Sequence, residues 1–271
     1  MSINQKTIRS SGQISGIGVH SGKRVTIYLE PAKSNTGIQF FRIDQNQSIK
    51  VTPNSIDKAN RATILTNGQA SISTPEHLLA TINAFQITNL IIKITGDEVP
   101  ILDGSATQWV QLLDRLGVVS QIGSIEPITL KSVLRLSNDK MQILALPCSQ
   151  FKVTYLLNYD EAILGVQTVQ YELSKASFIK EIAPARTFGF SHELKPLLSQ
   201  GLAQGVDMSN VLAIDGDQPF IYPDEPARHK ILDIIGDFFL LGRPLHAHII
   251  GIRSGHHLNV EMVKMIYNQL T

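Results

Sequence analysis

Cysteine is nearly missing from this chain: one residue, Cys148, in 271. A single thiol excludes a disulfide framework and any metal cluster built from cysteines, and it suits a reducing compartment. Long apolar runs are missing too. No stretch approaches the roughly 18 apolar residues that a bilayer span needs, and the opening "MSINQKTIRSSGQISG" holds no apolar block of the kind a leader carries. The expectation is a cytoplasmic protein with no stable membrane insertion. Charge is sparse, with 17% Asp, Glu, Lys and Arg, a net charge of +1 and no dense basic run. Such a chain has no electrostatic footprint for following a phosphate backbone, so nucleic acid is not an expected partner. What is present is apolar material: 43% hydrophobic residues can fill one large core or two ordinary ones, and two compact halves are expected.

Local patterns support two halves. "RVTIYLEP", "GIQFFRID" and "RATILTNG" are rich in β-branched and aromatic residues and are punctuated by Gly, Asn and Pro, which predicts strands. The period then changes: "STPEHLLATINAF" reads as a helix, "NLIIKITG" as a strand and "SATQWVQLLDRLGV" as a second helix. "VVSQIGSIEPI", residues 118–128, is the expected link, dividing the chain into 1–122 and 123–271. Beyond it "ITLKSVLRLS", "MQILALP", "FKVTYLLNY" and "VQTVQYELS" are again strands. The helix "PARHKILDIIGDFFLLG", the strand "LHAHIIGI" and the helix "HHLNVEMVKMIYNQL" close the chain in the order of the first half. The fold class expected is α+β, with two layered halves, each a sheet packed on helices.

The segment "RHKILDIIGD" sets a basic pair and two carboxylates among apolar residues. At about 100° per residue on a helix, and with His229 at zero, Asp233 falls near 40°, Asp237 near 80° and Lys230 near 100°. Ile231, Leu232, Ile234, Ile235, Phe238 and Phe239 occupy a wide apolar face between about 140° and 300°. The helix is expected to be half buried, with its polar stripe turned toward something specific. His229 and Asp233 lie about 6 Å apart along the axis, a gap that two side chains close onto one ion. Asp237, about 12 Å from His229, is too far for the same ion and is placed to orient a neighbouring group. The plain alternative is an i,i+4 pair worth a few tenths of a kcal/mol on a solvated face.

Other histidines supply candidates. In "STPEHLL", Glu76 and His77 open a helix after Ser73, Thr74 and Pro75. Ser73 and Glu76 also match a capping box, in which the glutamate only bonds the cap backbone. If His77 joins His229 and Asp233, two nitrogens and one carboxylate make a zinc site with a position open to water. Zinc lowers the pKa of such a water toward about 7, and Glu76 stands where it can take the proton during attack on a carbonyl. A rival pair is His246 and His248, on one side of a strand. In "RSGHHLN" a small turn presents His256 or His257, and a cationic histidine there would stabilise an oxyanion and protonate a leaving amine.

Taken together, "GIGVHSGKRV", "STPEHLLA", "EVPILDGSA", "ARTFGF", "DEPARHKILDIIGDFFLLG" and "SGHHLN" resemble the zinc-dependent UDP-3-O-acyl-N-acetylglucosamine deacetylases of lipid A biosynthesis, from about residue 5 to 270 and in that family's order. The resemblance implies Zn²⁺ on His77, His229 and Asp233, Glu76 as general base, and His256 supported by Asp237 as the electrostatic and acid partner. It implies Thr187 on the oxyanion, Phe188 against the sugar, Lys230 on the substrate and Arg253 on the nucleotide phosphates. The substrate implied is a UDP-linked acylated N-acetylglucosamine that loses its N-acetyl group as acetate. It further implies two βααβ-type domains with the site between them, an insert near 191–222 that forms a hydrophobic passage for the acyl chain, a monomer, and work at or near the inner membrane surface. Arg253 stands where many members have lysine, and His257 where they have a small residue. Pro196 is expected in the first turn of the insert's helix, or as a kink in it.

Overall fold

The structure, a computed structural model, describes residues 2–59, 62–159 and 163–270. The first half runs β1 (Ile3–Ile8), β2 (Gly12–Ile17), β3 (Arg24–Pro31), β4 (Ile38–Arg42), β5 (Gln47–Lys50), β6 (Ile56–Ala59), β7 (Thr63–Thr66), β8 (Ser71–Ser73), α1 (Glu76–Ala84), β9 (Leu90–Ile94) and α2 (Thr107–Leu116). The strand read from "RATILTNG" thus starts at Thr63; Arg61 lies outside the described residues. β10 (Val118–Ile125) and β11 (Ile128–Thr129) lead to β12 (Leu134–Asn138), β13 (Met141–Pro147), β14 (Lys152–Asn158) and β15 (Val166–Glu172). A short α3 (Lys175–Ser177), β16 (Phe188–Gly189), α4 (Ser191–Ser199) and β17 (Leu212–Ala213) precede α5 (Glu225–Phe239), β18 (Leu245–Ile252) and α6 (His256–Asn268).

The two main sheets have one topology. The first is ordered β2-β3-β9-β4-β5, and the second β12-β13-β18-β14-β15 with β11 beside β18. In each, the last strand in sequence lies between two hairpins, antiparallel to one neighbour and parallel to the other: β9 with β3 and β4, β18 with β13 and β14. The repeat expected from the order of elements is therefore a repeat of strand pairing. Alternation drives both sheets: Val25, Ile27 and Leu29 of β3, and Leu245, Ala247 and Ile249 of β18, point inward while their neighbours stay half exposed.

Helices fill the space between. α2 packs on β2 and α1, α5 packs on β14, α6 packs on β12 and β13, and α1 lies directly on α5. One continuous apolar core runs through both halves. α5 is buried on nearly every side rather than half buried, because its polar stripe faces α1 and α6 instead of water.

The residues expected to link the halves are mostly strand: β10 pairs antiparallel with β1. A buried amide network holds this ribbon to the first half. Asn89 Nδ2 donates to Gln5 Oε1 (2.9 Å) and Gln121 Oε1 (2.8 Å), and Gln121 Nε2 donates to the Ala32 carbonyl (2.7 Å). Pro196 falls in the second turn of α4, beyond the first turn where a proline costs no hydrogen bond. α4 buries none of its residues, and Leu194 and Leu198 are exposed on it.

Candidate metal and active site

The site forms where α1 of the first half meets α5 of the second. β8 delivers the chain to α1 through Thr74, at φ +57°, and Pro75, and α1 begins at Glu76 with no side-chain cap. The capping box does not form. Ser73 belongs to β8 and its hydroxyl donates to the Asp97 carbonyl, so Glu76 is released to turn inward, where it is buried. His77 follows on the same turn.

His77 Nε2 lies 3.7 Å from Asp233 Oδ1, and His229 Nε2 lies 3.5 Å from the same oxygen. The three ligand atoms fall within 4.8 Å of one another, and all three residues are buried. Donors about 2.0–2.1 Å from a tetrahedral ion are separated by about 3.3 Å, so the observed spacings are close to those of a coordination shell. The proton inventory agrees. His229 Nδ1 is 3.4 Å from the Ala185 carbonyl, which can only accept, so the proton sits on Nδ1 and Nε2 keeps its lone pair toward Asp233. Burial drives the His229 pKa down to about 3, leaving the neutral imidazole that coordination requires. For Asp233 burial acts upward, but the charges of Lys230 and His256 outweigh it and hold the carboxyl well below the usual range. Lys230 Nζ donates to Asp233 Oδ2 at 2.9 Å, and the other oxygen remains directed at the histidines. The donor set fits a divalent transition metal.

Glu76, Asp237 and His256 form a second cluster. Asp237, with no exposed surface, accepts from His256 Nδ1 (2.9 Å) and Asn259 Nδ2 (2.9 Å) on Oδ2, and from the Thr63 hydroxyl (2.8 Å) on Oδ1. His256 Nδ1 is 3.6 Å from Glu76 Oε1, and its Nε2 is 3.8 Å from Asp233 Oδ2, so this ring bridges the two clusters. Desolvation opposes its positive charge, yet the carboxylates of Asp237, Asp233 and Glu76 prevail and raise its pKa to about 10. Glu76 is raised as well: burial lifts its pKa above the ordinary carboxylate value, His256 opposes the rise and the nearby Asp237 adds to it. Glu76 Oε1 accepts the Thr63 amide at 2.5 Å, whereas Oε2 is buried with no hydrogen-bond partner.

The remaining candidates surround these groups. The Phe188 ring lies edge-on to His229, with centroids 5.9 Å apart, and Lys230 Nζ is 5.5 Å from the Phe188 centroid. Thr187 is held between the Gly104 carbonyl, which accepts its amide (2.7 Å), and Leu212, whose amide donates to its carbonyl (2.8 Å). Arg253 occupies the turn between β18 and α6 at φ +54°, with its amide donating to the Leu156 carbonyl (3.0 Å). Of the histidine pair, His256 points inward as the first residue of α6 and His257 is exposed. The rival pair stays apart from the site: His248 Nε2 meets Thr154 Oγ1 at 2.8 Å on the outer sheet face, with His246 on the same face. Thr63 and Asn259 were not legible as site residues. Asn259 lies three residues beyond His256, a helical spacing that carries a signal; Thr63, inside a strand pattern, carries none.

Comparison with known proteins accords with this arrangement. The family described as LpxC, UDP-3-O-acyl N-acetylglycosamine deacetylase, matches residues 5–268. Three proteins named UDP-3-O-acyl-N-acetylglucosamine deacetylase are similar over almost the whole chain. That of Chlamydia felis is 36% identical, covering 98% of both chains. That of Thermosynechococcus vestitus is 38% identical over 98% of this chain and 94% of its own. The protein of Helicobacter hepaticus is 36% identical over 97% and 90%. A match that spans both sheets, both helical layers and the two buried clusters between them leaves one assignment: the chain belongs to the UDP-3-O-acyl N-acetylglycosamine deacetylase family.

Proposed function

We propose that the protein hydrolyses the N-acetyl group of UDP-3-O-[(3R)-3-hydroxyacyl]-N-acetylglucosamine, giving acetate and the free amine in lipid A biosynthesis. The observation that carries this reading is the pairing of a three-donor cluster with a base and acid cluster 3.8 Å away at the α1–α5 crossing of a family member. His77, His229 and Asp233 hold Zn²⁺. When bound, the zinc supplies Lewis acidity and brings the pKa of a water at its open position toward about 7.

This chain's residues perform the rest. Glu76 accepts the proton of the attacking water as its oxygen adds to the acetyl carbon; its partnerless Oε2 suits that task. His256, kept cationic by Asp237, offsets the charge that develops on the acetyl oxygen, with the Thr187 hydroxyl as a second donor. When the C–N bond breaks, His256 gives its proton to the departing amine nitrogen, and the proton that Glu76 took from the water then restores His256. Phe188 packs on the sugar, Lys230 contacts the substrate, and Arg253 pairs with the nucleotide phosphates in a geometry that differs from a lysine's. Residues 191–222 form the apolar passage for the acyl chain, and the exposed Leu194 and Leu198 on α4 are in keeping with that use.

The two units are 1–122 and 123–271, and the protein acts as a monomer in the cytoplasm, at or near the inner membrane surface. Among the described residues no helix is long and apolar enough to cross a membrane. The experiment is acetate release from the acylated UDP-N-acetylglucosamine by the wild-type protein and by Glu76→Ala. The variant is expected to keep bound zinc and substrate and to lose most turnover; turnover equal to wild type would sink the general-base role. Activity that disappears on chelation and returns with stoichiometric zinc supports the cofactor, and activity unaffected by chelation refutes it.

A further inference from the structure

One buried residue touches both carboxylates of the second cluster. Thr63 opens β7 with no exposed surface, and each of its polar groups holds a different part of the site. Its amide donates to Glu76 Oε1 (2.5 Å), its hydroxyl donates to Asp237 Oδ1 (2.8 Å), and its carbonyl accepts from the amide of Thr74 (3.1 Å), the residue that turns the chain into α1. Glu76 sits on α1, Asp237 on α5 and Thr63 on β7, the central strand of the sheet ordered β6-β7-β8, so the three groups come from three different elements. Two like-charged carboxylates in an apolar interior repel each other, and a neutral residue that donates to both stands in for the water they have lost.

We propose that Thr63 is a positioning residue for the deacetylation, one that sets the Glu76 and Asp237 carboxylates relative to each other and so sets the base against His256. The inference rests on the reading of Glu76 and His256 given above. The amide bond engages Oε1 and leaves Oε2 of Glu76 as the oxygen that takes a proton. The hydroxyl bond engages Oδ1 of Asp237 and fixes the plane of that carboxylate, whose Oδ2 carries His256 and Asn259. Without the hydroxyl, Oδ1 is a buried charged acceptor with no hydrogen-bond donor among the described residues, and the carboxylate turns to share its remaining donors. His256, bonded through Nδ1 to that carboxylate, turns with it. The backbone contact to Glu76 does not depend on the side chain, so the hydroxyl can be tested alone.

The test compares Thr63→Val, Thr63→Ser and Thr63→Cys in the zinc-loaded protein, with Glu76→Ala as reference. Valine keeps the shape and removes the donor, serine keeps the donor, and cysteine offers only a weak one. For valine the expected result is bound zinc near one per chain, KM within about 2-fold of wild type and kcat lower by about 10- to 100-fold, the usual effect of removing a support behind a reacting group. Serine is expected to restore kcat to within about 3-fold, with cysteine between the two. The NMR resonance of the His256 Nδ1 proton is expected to shift in the valine and cysteine variants and to stay in place in serine.

A merely structural threonine would lower the melting temperature without moving kcat or that resonance, and this result overturns the proposal. A serine variant no better than cysteine also overturns it, and that comparison stands even if valine fails to fold. Failure of the underlying reading looks different: Glu76→Ala would then turn over like wild type, whereas failure of the inference alone leaves Glu76→Ala inactive and Thr63→Val active.

Discussion

Replacing Gly236 by alanine sets two effects of opposite sign against each other. In a helix interior, glycine to alanine is worth about 1 kcal/mol of added stability, because alanine has less backbone freedom to lose. Gly236, however, lies in α5 where α1 crosses it. A Cβ added there would stand 2.8 Å from the Glu76 carbonyl carbon and 2.9 Å from its Cα, and closer still to its carbonyl oxygen. These are backbone atoms, and no rotamer change can clear them. The helices must separate by roughly 1 Å, and overpacking of this kind costs about 1–3 kcal/mol, with the upper part of the range applying where backbone meets backbone. The net expectation is a loss of about 1–2 kcal/mol, or a fall in Tm of about 2–8 °C for a protein of this size. A second readout follows from position. Glu76 adjoins His77, so moving α1 off α5 separates His77 from His229 and Asp233 by more than the roughly 0.2 Å that ligand distances tolerate. Urea unfolding of the metal-free protein measures the stability change, and competition with a chelator measures zinc affinity. A variant as stable as wild type, with undiminished zinc affinity, would refute the reasoning that the close α1–α5 approach holds the ligand set together.

Two further expectations concern the same clusters. Asp233→Ala removes the oxygen that both histidines face and is expected to bring bound zinc well below one per chain; full retention in a metal analysis would show that the ligand set is wrong. Burial raises the Glu76 pKa above the ordinary 4.5, and a base works only when deprotonated, so kcat is expected to be present above the raised value and lost as pH falls through it. A pH profile whose acid limb has its midpoint at or below 4.5 would contradict that assignment.

Much of this protein is local in origin. The period of 3.6 in residues 225–239 and the period of 2 in β3, β13, β14 and β18 follow from how side chains project from each backbone, so the elements and their order are legible in one dimension. The same geometry puts His229 and Asp233 on one stripe of α5 and makes Asp237 a candidate for orienting a neighbouring group, before any fold is known. Long-range contacts decide the rest. "STPE" is compatible with a capping box and with an inward glutamate, and the choice falls to the +57° turn at Thr74, pinned by a carbonyl eleven residues earlier on β7. Two adjacent histidines are equivalent as text; only the position of Asp237 under the start of α6 selects His256. The stretch 118–128 reads as the link between the halves, although 118–125 is a strand, because its partner β1 lies more than a hundred residues away. Thr63 gives no sign in its own strand, since its role exists only where a β-strand, α1 and α5 bring a donor and two carboxylates together. Sequence alone determines which groups can point the same way along one element; tertiary structure decides which groups on different elements meet, because that depends on packing that no single element contains.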